Sequence, residues 1–250
     1  MDKIENVLLQ RSSVRSYDST KKIPQKDMDT ILRAIQQSPT YISGQQYSVI
    51  VIDDEQKKKD MFTWTIGRSG EGQQYIQDCS AFLLFVMDFN KVYQISQYEN
   101  MPLEITNYME GLLIGSVDVG IGIEAATVCA ESLGYGTVII GAVRRCVKEI
   151  IQAYNLPKYT FPLLGLCVGY PTEELRPRPR LAMNTFAHYN TYELHDFEKA
   201  IKEENKAYHT YYGEKEGEDE AWSRYVAKYY EKAYRTELLE LYKEQGFDIK

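Results

Sequence analysis

Cysteine, histidine and tryptophan are scarce in these 250 residues, numbering four, three and two. The cysteines (Cys79, Cys129, Cys146, Cys167) stand in apolar surroundings with no Cys-x-x-Cys pair. That pattern predicts reduced, core-filling thiols of a cytosolic protein rather than a disulfide framework. His188, His195 and His209 have no zinc-type spacing, so no metal site is expected. A basic surplus is also missing. The net charge is −7, whereas neutralising nucleic-acid phosphates needs a basic face, so no nucleic-acid partner is expected. The most apolar run, 111–134, is interrupted by Asp118, Glu124 and Glu131, which reads as a buried soluble helix and not a membrane span. The opening MDKIENVLLQ has an acid at position 2 and no apolar centre, unlike a signal peptide. No Gly-x-Gly-x-x-Gly and no Gly-Lys-Ser/Thr follows any strand pattern, which argues against Rossmann and P-loop nucleotide sites.

What is present alternates irregularly between helix and strand. Helical patterns cover 2–10, 23–39, 55–66, about 107–133, and a stretch from Val147 that stops before Pro157. Strand patterns cover 47–54, 81–89, 136–142 and 161–171; the near-continuous apolar run 81–89 suits a strand covered on both faces. The helix at 107–133 is rich in glycine and alanine, which costs helix propensity unless close packing compensates. Beyond about residue 191 the texture changes: 191–250 holds 10 Lys+Arg and 15 Asp+Glu. Two long helical patterns there, 190–212 and 221–246, flank the acidic GEKEGEDE (213–220). Nine tyrosines in this region are expected to cover the core with their rings while their hydroxyls reach water.

Five short stretches could carry chemistry. RSSVRSY (11–17) sets two guanidinium forks among three hydroxyls, a donor set suited to a phosphate, although a solvated loop would read the same way. RPRPR (176–180) is held extended by its prolines, so Arg178 and Arg180 cannot both face one phosphate without a turn. SPTYISGQQ (38–46) combines a proline turn, hydroxyls and amides that suit a heterocycle edge. EGQQY (71–75) is a weaker version of the same chemistry. In IIGA (139–142), Gly141 at a strand end allows close approach of backbone N–H groups to a flat ligand.

Taken in order along nearly the whole chain, with the C-terminal WSRY…KAYRTELLELYKEQGF, these stretches resemble the FMN-dependent nitroreductase family. The narrower resemblance is to its oxygen-insensitive NADPH nitroreductase and flavin reductase branch. The resemblance implies an α+β fold: a central, mostly antiparallel sheet flanked by helices, in an intertwined homodimer. It implies an FMN-binding core over 1–190 and a helical C-terminal extension of the same domain over 191–250. Arg11, Ser12, Ser13 and Arg15 would hold the FMN phosphate and ribityl chain, with Arg178 and Arg180 completing the contacts. Thr40 and Gln45 would reach the flavin of the partner subunit, and Gln73 would bind its polar part. The backbone of Ile140, Gly141 and Ala142 would lie along the ring near N5. Tyr41, Ile42 and Arg235 would face the substrate.

The implied activity is cytoplasmic reduction of nitroaromatics, quinones, flavins or similar small acceptors, with NADPH or NADH as donor. Hydride transfer would follow a ping-pong cycle through flavin N5, with no catalytic side chain. Arg178 would supply positive charge at the N1–C2=O edge. In that branch the tail loop carries arginines for the NADPH 2′-phosphate. Here Lys215 is the one cation among five acids, so repulsion favours NADH or weak discrimination. The alternative is a non-catalytic flavin-binding or redox-sensing protein.

Overall fold

The computed structural model describes residues 2–67, 70, 72–173, 176–194, 196–213 and 221–249. They form two units, 1–175 with 235–250, and 176–234.

The first unit opens with α1 (Asp2–Gln10) and α2 (Gln25–Gln36), then β1 (Tyr47–Ile52) and α3 (Glu55–Thr65). Asp54 caps α3 by accepting from the Lys57 amide at 2.9 Å, which is why the paired aspartates end β1 and start a helix. After α4 (Tyr75–Asp78) come β2 (Ala81–Asp88), α5 (Asn90–Tyr98) and α6 (Met109–Ser132). β3 (Gly136–Ile140) leads through a 3₁₀ turn, Gly141–Arg145, into α7 (Val147–Ala153) and β4 (Thr160–Gly169). The four strands form one antiparallel sheet in the order β1-β2-β4-β3.

All eight residues of β2 are buried, as its apolar run requires of a central strand with cover on both faces. One face packs Leu83, Phe85 and Met87 against α6; the other packs Phe82, Leu84 and Val86 with Val138 and Ile140. α6 is long and apolar enough to cross a bilayer by length and composition. In this fold it is a core helix. Its glycines allow the approach: a Cβ on Gly115 would overlap Met87, and one on Gly122 would stand 3.0 Å from the Tyr47 ring. The chain returns to this unit at α10 (Leu238–Glu244), where Tyr242 stacks on Phe161 with centroids 3.8 Å apart.

The second unit holds α8 (Phe197–Tyr212) and α9 (Trp222–Tyr230), tied by Asn205, which accepts from the Ser223 amide at 3.0 Å.

Two expectations for the tail are corrected. The run 221–246 is not one helix: it breaks between α9 and α10, and Arg235 takes a left-handed backbone (φ 57°) in the gap. Of the nine tail tyrosines, only Tyr242 is buried in the protomer. Several others pair ring to ring, such as Tyr208 with Tyr212 at 4.4 Å and Tyr229 with Tyr234 at 5.3 Å. Ring pairing satisfies aromatic surface without a core, which periodicity cannot foresee. Helix α5 adds an element to those that the sequence pattern marks.

Candidate functional site

RSSVRSY leaves α1 and is stitched to the sheet by its backbone. The Val14 amide donates to Thr137 O at 2.9 Å, Tyr17 bridges Pro171, and the Asp18 amide donates to Tyr170 O at 2.9 Å. Val14 is fully buried, so it anchors the loop while its neighbours keep their polar ends. Ser12 is buried; Ser13 and Arg11 are half-buried; Arg15 is exposed.

The Arg15 amide donates to Glu173 Oε1 at 2.7 Å, and its Nη1 to Ser13 O at 3.3 Å. The guanidinium also lies near Tyr75, whose phenol is pushed up by burial and pulled down by Arg15. Arg11 faces Glu131 on α6. Burial raises the Glu131 pKa, while the Thr137 hydroxyl, donating at 2.6 Å, and Arg11 oppose that rise. The Nε of Arg11 is buried without a hydrogen-bond partner, and so is Gln73 Oε1.

Ile140 ends β3 in the core, and Gly141 begins the following turn with Ala142 buried behind it. Arg144 braces this turn, its Nη1 donating to Leu163 O at 2.8 Å.

On the other side of the sheet, Thr40, Tyr41, Ile42 and Gln45 share one loop between α2 and β1. Thr40 Oγ1 accepts from the Gln45 amide at 3.1 Å. A cleft of about 210 Å³ lies beside it, lined in part by Leu32, Ile35, Thr40, Gln45, Tyr47 and Lys91. Tyr41 and Ile42 project outward, Ile42 being 85% exposed.

Within the second unit, RPRPR is extended against α8. The Arg176 guanidinium lies 5.0 Å from the Tyr211 ring centre and Arg178 lies 5.7 Å from that of Tyr212. Arg180 turns back on its own chain, donating to Pro179 O at 2.9 Å. The first unit thus gathers Arg11, Ser12, Ser13 and Arg15 in one loop, with Arg15 beside Tyr75. Arg178 and Arg180 belong to the second unit, and Arg235 stands where the chain re-enters the first. Of the acidic stretch 213–220, residues 214–220 lie outside the described residues.

Two charged residues went unsuspected as parts of a site. In the sequence Asp118 is a charge that breaks an apolar run; in the structure it accepts from the Tyr41 amide at 3.2 Å. Lys91, one residue into α5, donates to Gln45 O and Tyr47 O. An isolated acid inside an apolar helix was the available signal for the first; nothing local marked the second.

A four-stranded antiparallel sheet, a glycine-bearing core helix laid across it and an arginine-serine loop sewn to β3 define an α+β domain with the nitroreductase fold. The structure of Bacillus megaterium NfrA2 superposes on it with a TM-score of 0.92 at 32% identity, covering 100% of both chains. The NfrA1 nitroreductase of Bacillus subtilis does so at 0.90 and 26% identity, covering 98% of this chain and 99% of its own. The chain belongs to the nitroreductase family, whose model matches residues 8–170, while that of the nitroreductase family C-terminal domain matches 178–250. It is 37% identical over 254 residues to a Bacillus subtilis (strain 168) protein named FMN reductase (NAD(P)H), covering 100% of this chain and 99% of that one. It is 30% identical over 249 residues to the Cr(VI) reductase of Pseudomonas sp. (strain G-1), covering 99% and 100%.

Proposed function

We propose that the protein is an FMN-dependent NAD(P)H oxidoreductase acting on nitroaromatics, quinones, flavins or related small acceptors. The observation that carries this reading is the pair of buried, unpartnered polar atoms Arg11 Nε and Gln73 Oε1. They are two of four such side-chain atoms among the described residues. A buried polar atom without a partner is costly, and both belong to residues that fit a ligand rich in phosphate and heterocyclic polar groups. The donor set fits FMN: guanidinium and hydroxyl for phosphate, amide for the ring's polar edge.

In this reading Arg11, Ser12, Ser13 and Arg15 hold the phosphate end. Gln73 binds the ring's polar edge, and the backbone at Ile140, Gly141 and Ala142 lies along the ring. The chemistry supplied by bound FMN is hydride transfer from NADH or NADPH to the acceptor in a ping-pong cycle. The protein's side chains orient, desolvate and neutralise; none acts as nucleophile or general base. Tyr41, Ile42 and Arg235 line the place of the acceptor.

A second copy of the chain completes the enzyme. The outward face of α6 shows Leu113, Val117 and Ile121 one turn apart, an apolar stripe suited to a like partner. Thr40 and Gln45 then reach the flavin of that partner. A cytoplasmic location agrees with four free thiols.

The test is an anaerobic visible spectrum of the purified protein with NADH and, separately, NADPH. Flavin bands that bleach support the reading, and the faster nucleotide reveals what the acidic 213–220 stretch does. Bands that persist with both would favour a flavin-binding or sensing role. Absence of flavin after incubation with FMN would refute the reading.

A further inference from the structure

The loop between α2 and β1 is built against its own backbone preferences. Ile42 (φ 49°), Ser43 (φ 58°) and Gln45 (φ 52°) all take left-handed conformations, whereas the glycine among them, Gly44, does not (φ −75°). For a β-branched residue such as Ile42 this is a strained geometry, and it persists only where the surroundings over-determine it. Gly44 matters for a different reason: a Cβ there would meet the Gln46 amide end and stand 3.2 Å from Tyr41 O.

Two charges of opposite sign over-determine the loop from its two ends. Asp118 is 2% exposed on the inward face of α6, and its carboxylate accepts from the Tyr41 amide at 3.2 and 3.4 Å. Lys91 donates to Gln45 O at 3.0 Å and Tyr47 O at 2.6 Å, with Asp88 3.9 Å from its ammonium. Between these points the Thr40 hydroxyl accepts from the Gln45 amide and closes the turn. Burying a carboxylate without a cation is unfavourable. Here the cost falls on a residue whose hydrogen bond holds one exposed loop. The side chains next to that bond are Tyr41 and Ile42, both projecting outward.

We propose that Asp118 and Lys91 are positioning residues that clamp the 40–45 turn from opposite ends, so that Tyr41 and Ile42 form a fixed wall of the acceptor site and set acceptor selectivity. Neither residue touches the acceptor. The proposal rests on the oxidoreductase reading above, but the clamp itself has a readout independent of turnover.

The experiment compares wild-type holoenzyme with Asp118→Ala, Asp118→Asn and Lys91→Met. Amide hydrogen exchange is followed by mass spectrometry over 38–48, and steady-state kinetics with nitrofurazone and with menadione. In Asp118→Ala the Tyr41 amide should exchange at least about tenfold faster, the loss expected for one hydrogen bond to a charged group. The ratio of kcat/KM between the two acceptors should shift by about fivefold or more, through KM rather than kcat. Asp118→Asn keeps an oxygen acceptor at the same place and should return both quantities toward wild type. Lys91→Met should accelerate exchange at the 45–47 end and shift the same ratio, and it carries the test should Asp118→Ala not fold.

Unchanged exchange in the variants, or faster exchange with an unchanged selectivity ratio, overturns the proposal. A Tyr41 amide that already exchanges freely in active wild-type enzyme does so too and leaves the oxidoreductase reading standing. Wild-type protein that turns over neither acceptor sinks that reading and the selectivity claim together.

Discussion

Val14 lies directly against Gly136: a Cβ on that glycine would stand 2.5 Å from Val14 Cγ2, and the Val14 amide donates to Thr137 O at 2.9 Å. The arginine-serine loop is thereby sewn to the strand whose far end carries Ile140, Gly141 and Ala142. Two stretches more than a hundred residues apart are held in one register by a missing methyl group and one hydrogen bond.

Gly136→Ala should therefore destabilise the protein by about 1–3 kcal/mol, the usual cost of overpacking a filled core. Val14→Ala alone should also destabilise, because Val14 is fully buried. Combined, the two should cost less than their sum, since the shortened Val14 makes room for the new methyl. Urea titrations of the two single variants and the double variant measure the coupling; strict additivity would mean that the contact is slack.

Arg11→Ala should weaken FMN binding about tenfold to a hundredfold, the loss expected for charge-assisted hydrogen bonds. Arg11→Lys should recover only part of it, because an ammonium replaces neither the fork nor Nε. Titration of apoprotein with FMN, followed by quenching of flavin fluorescence, gives both constants. Equal affinity in wild type and Arg11→Ala would remove Arg11 from the site.

Glu131 makes a prediction with a definite sign in pH. Burial holds its pKa above the ordinary 4.5, against the opposing pull of Thr137 and Arg11. The folded state thus binds this proton more tightly than the unfolded chain does. The stabilisation it brings is complete below the unfolded value and is lost as pH rises through the folded one. Glu131→Gln lacks that loss. Its Tm relative to wild type should climb between about pH 4 and about pH 7. A difference that is flat or falls over this range would contradict the assigned burial.

Lys58 is buried in the first unit, its ammonium donating to Gln77 O at 3.0 Å and Cys79 O at 2.5 Å. Desolvation lowers its pKa, yet the two carbonyls at the end of α4 depend on it. Lys58→Met keeps the stem and strands those acceptors, which should cost about 1–3 kcal/mol. Chemical denaturation would show it; a neutral result would mean that water replaces the ammonium.

The sequence alone determined the elements with a strong local period and the chemistry of the arginine-serine loop. The run at 81–89 reads as a doubly covered strand, because its eight apolar residues leave no face for water. RSSVR carries guanidinium and hydroxyl donors of the kind that suit an anion, and that chemistry is legible wherever the chain carries it. Only the tertiary structure decided what those pieces meet. Nothing near Val14 names Thr137, and nothing near Tyr41 names Asp118, 77 positions away. The break at Arg235 was equally hidden, because Tyr229 and Tyr234 pair while Tyr242 leaves for Phe161. Periodicity reports which face of an element avoids water; it carries no information about which distant atom will satisfy a given amide. That choice is made when the sheet and α6 close together, and the candidate site is assembled by it.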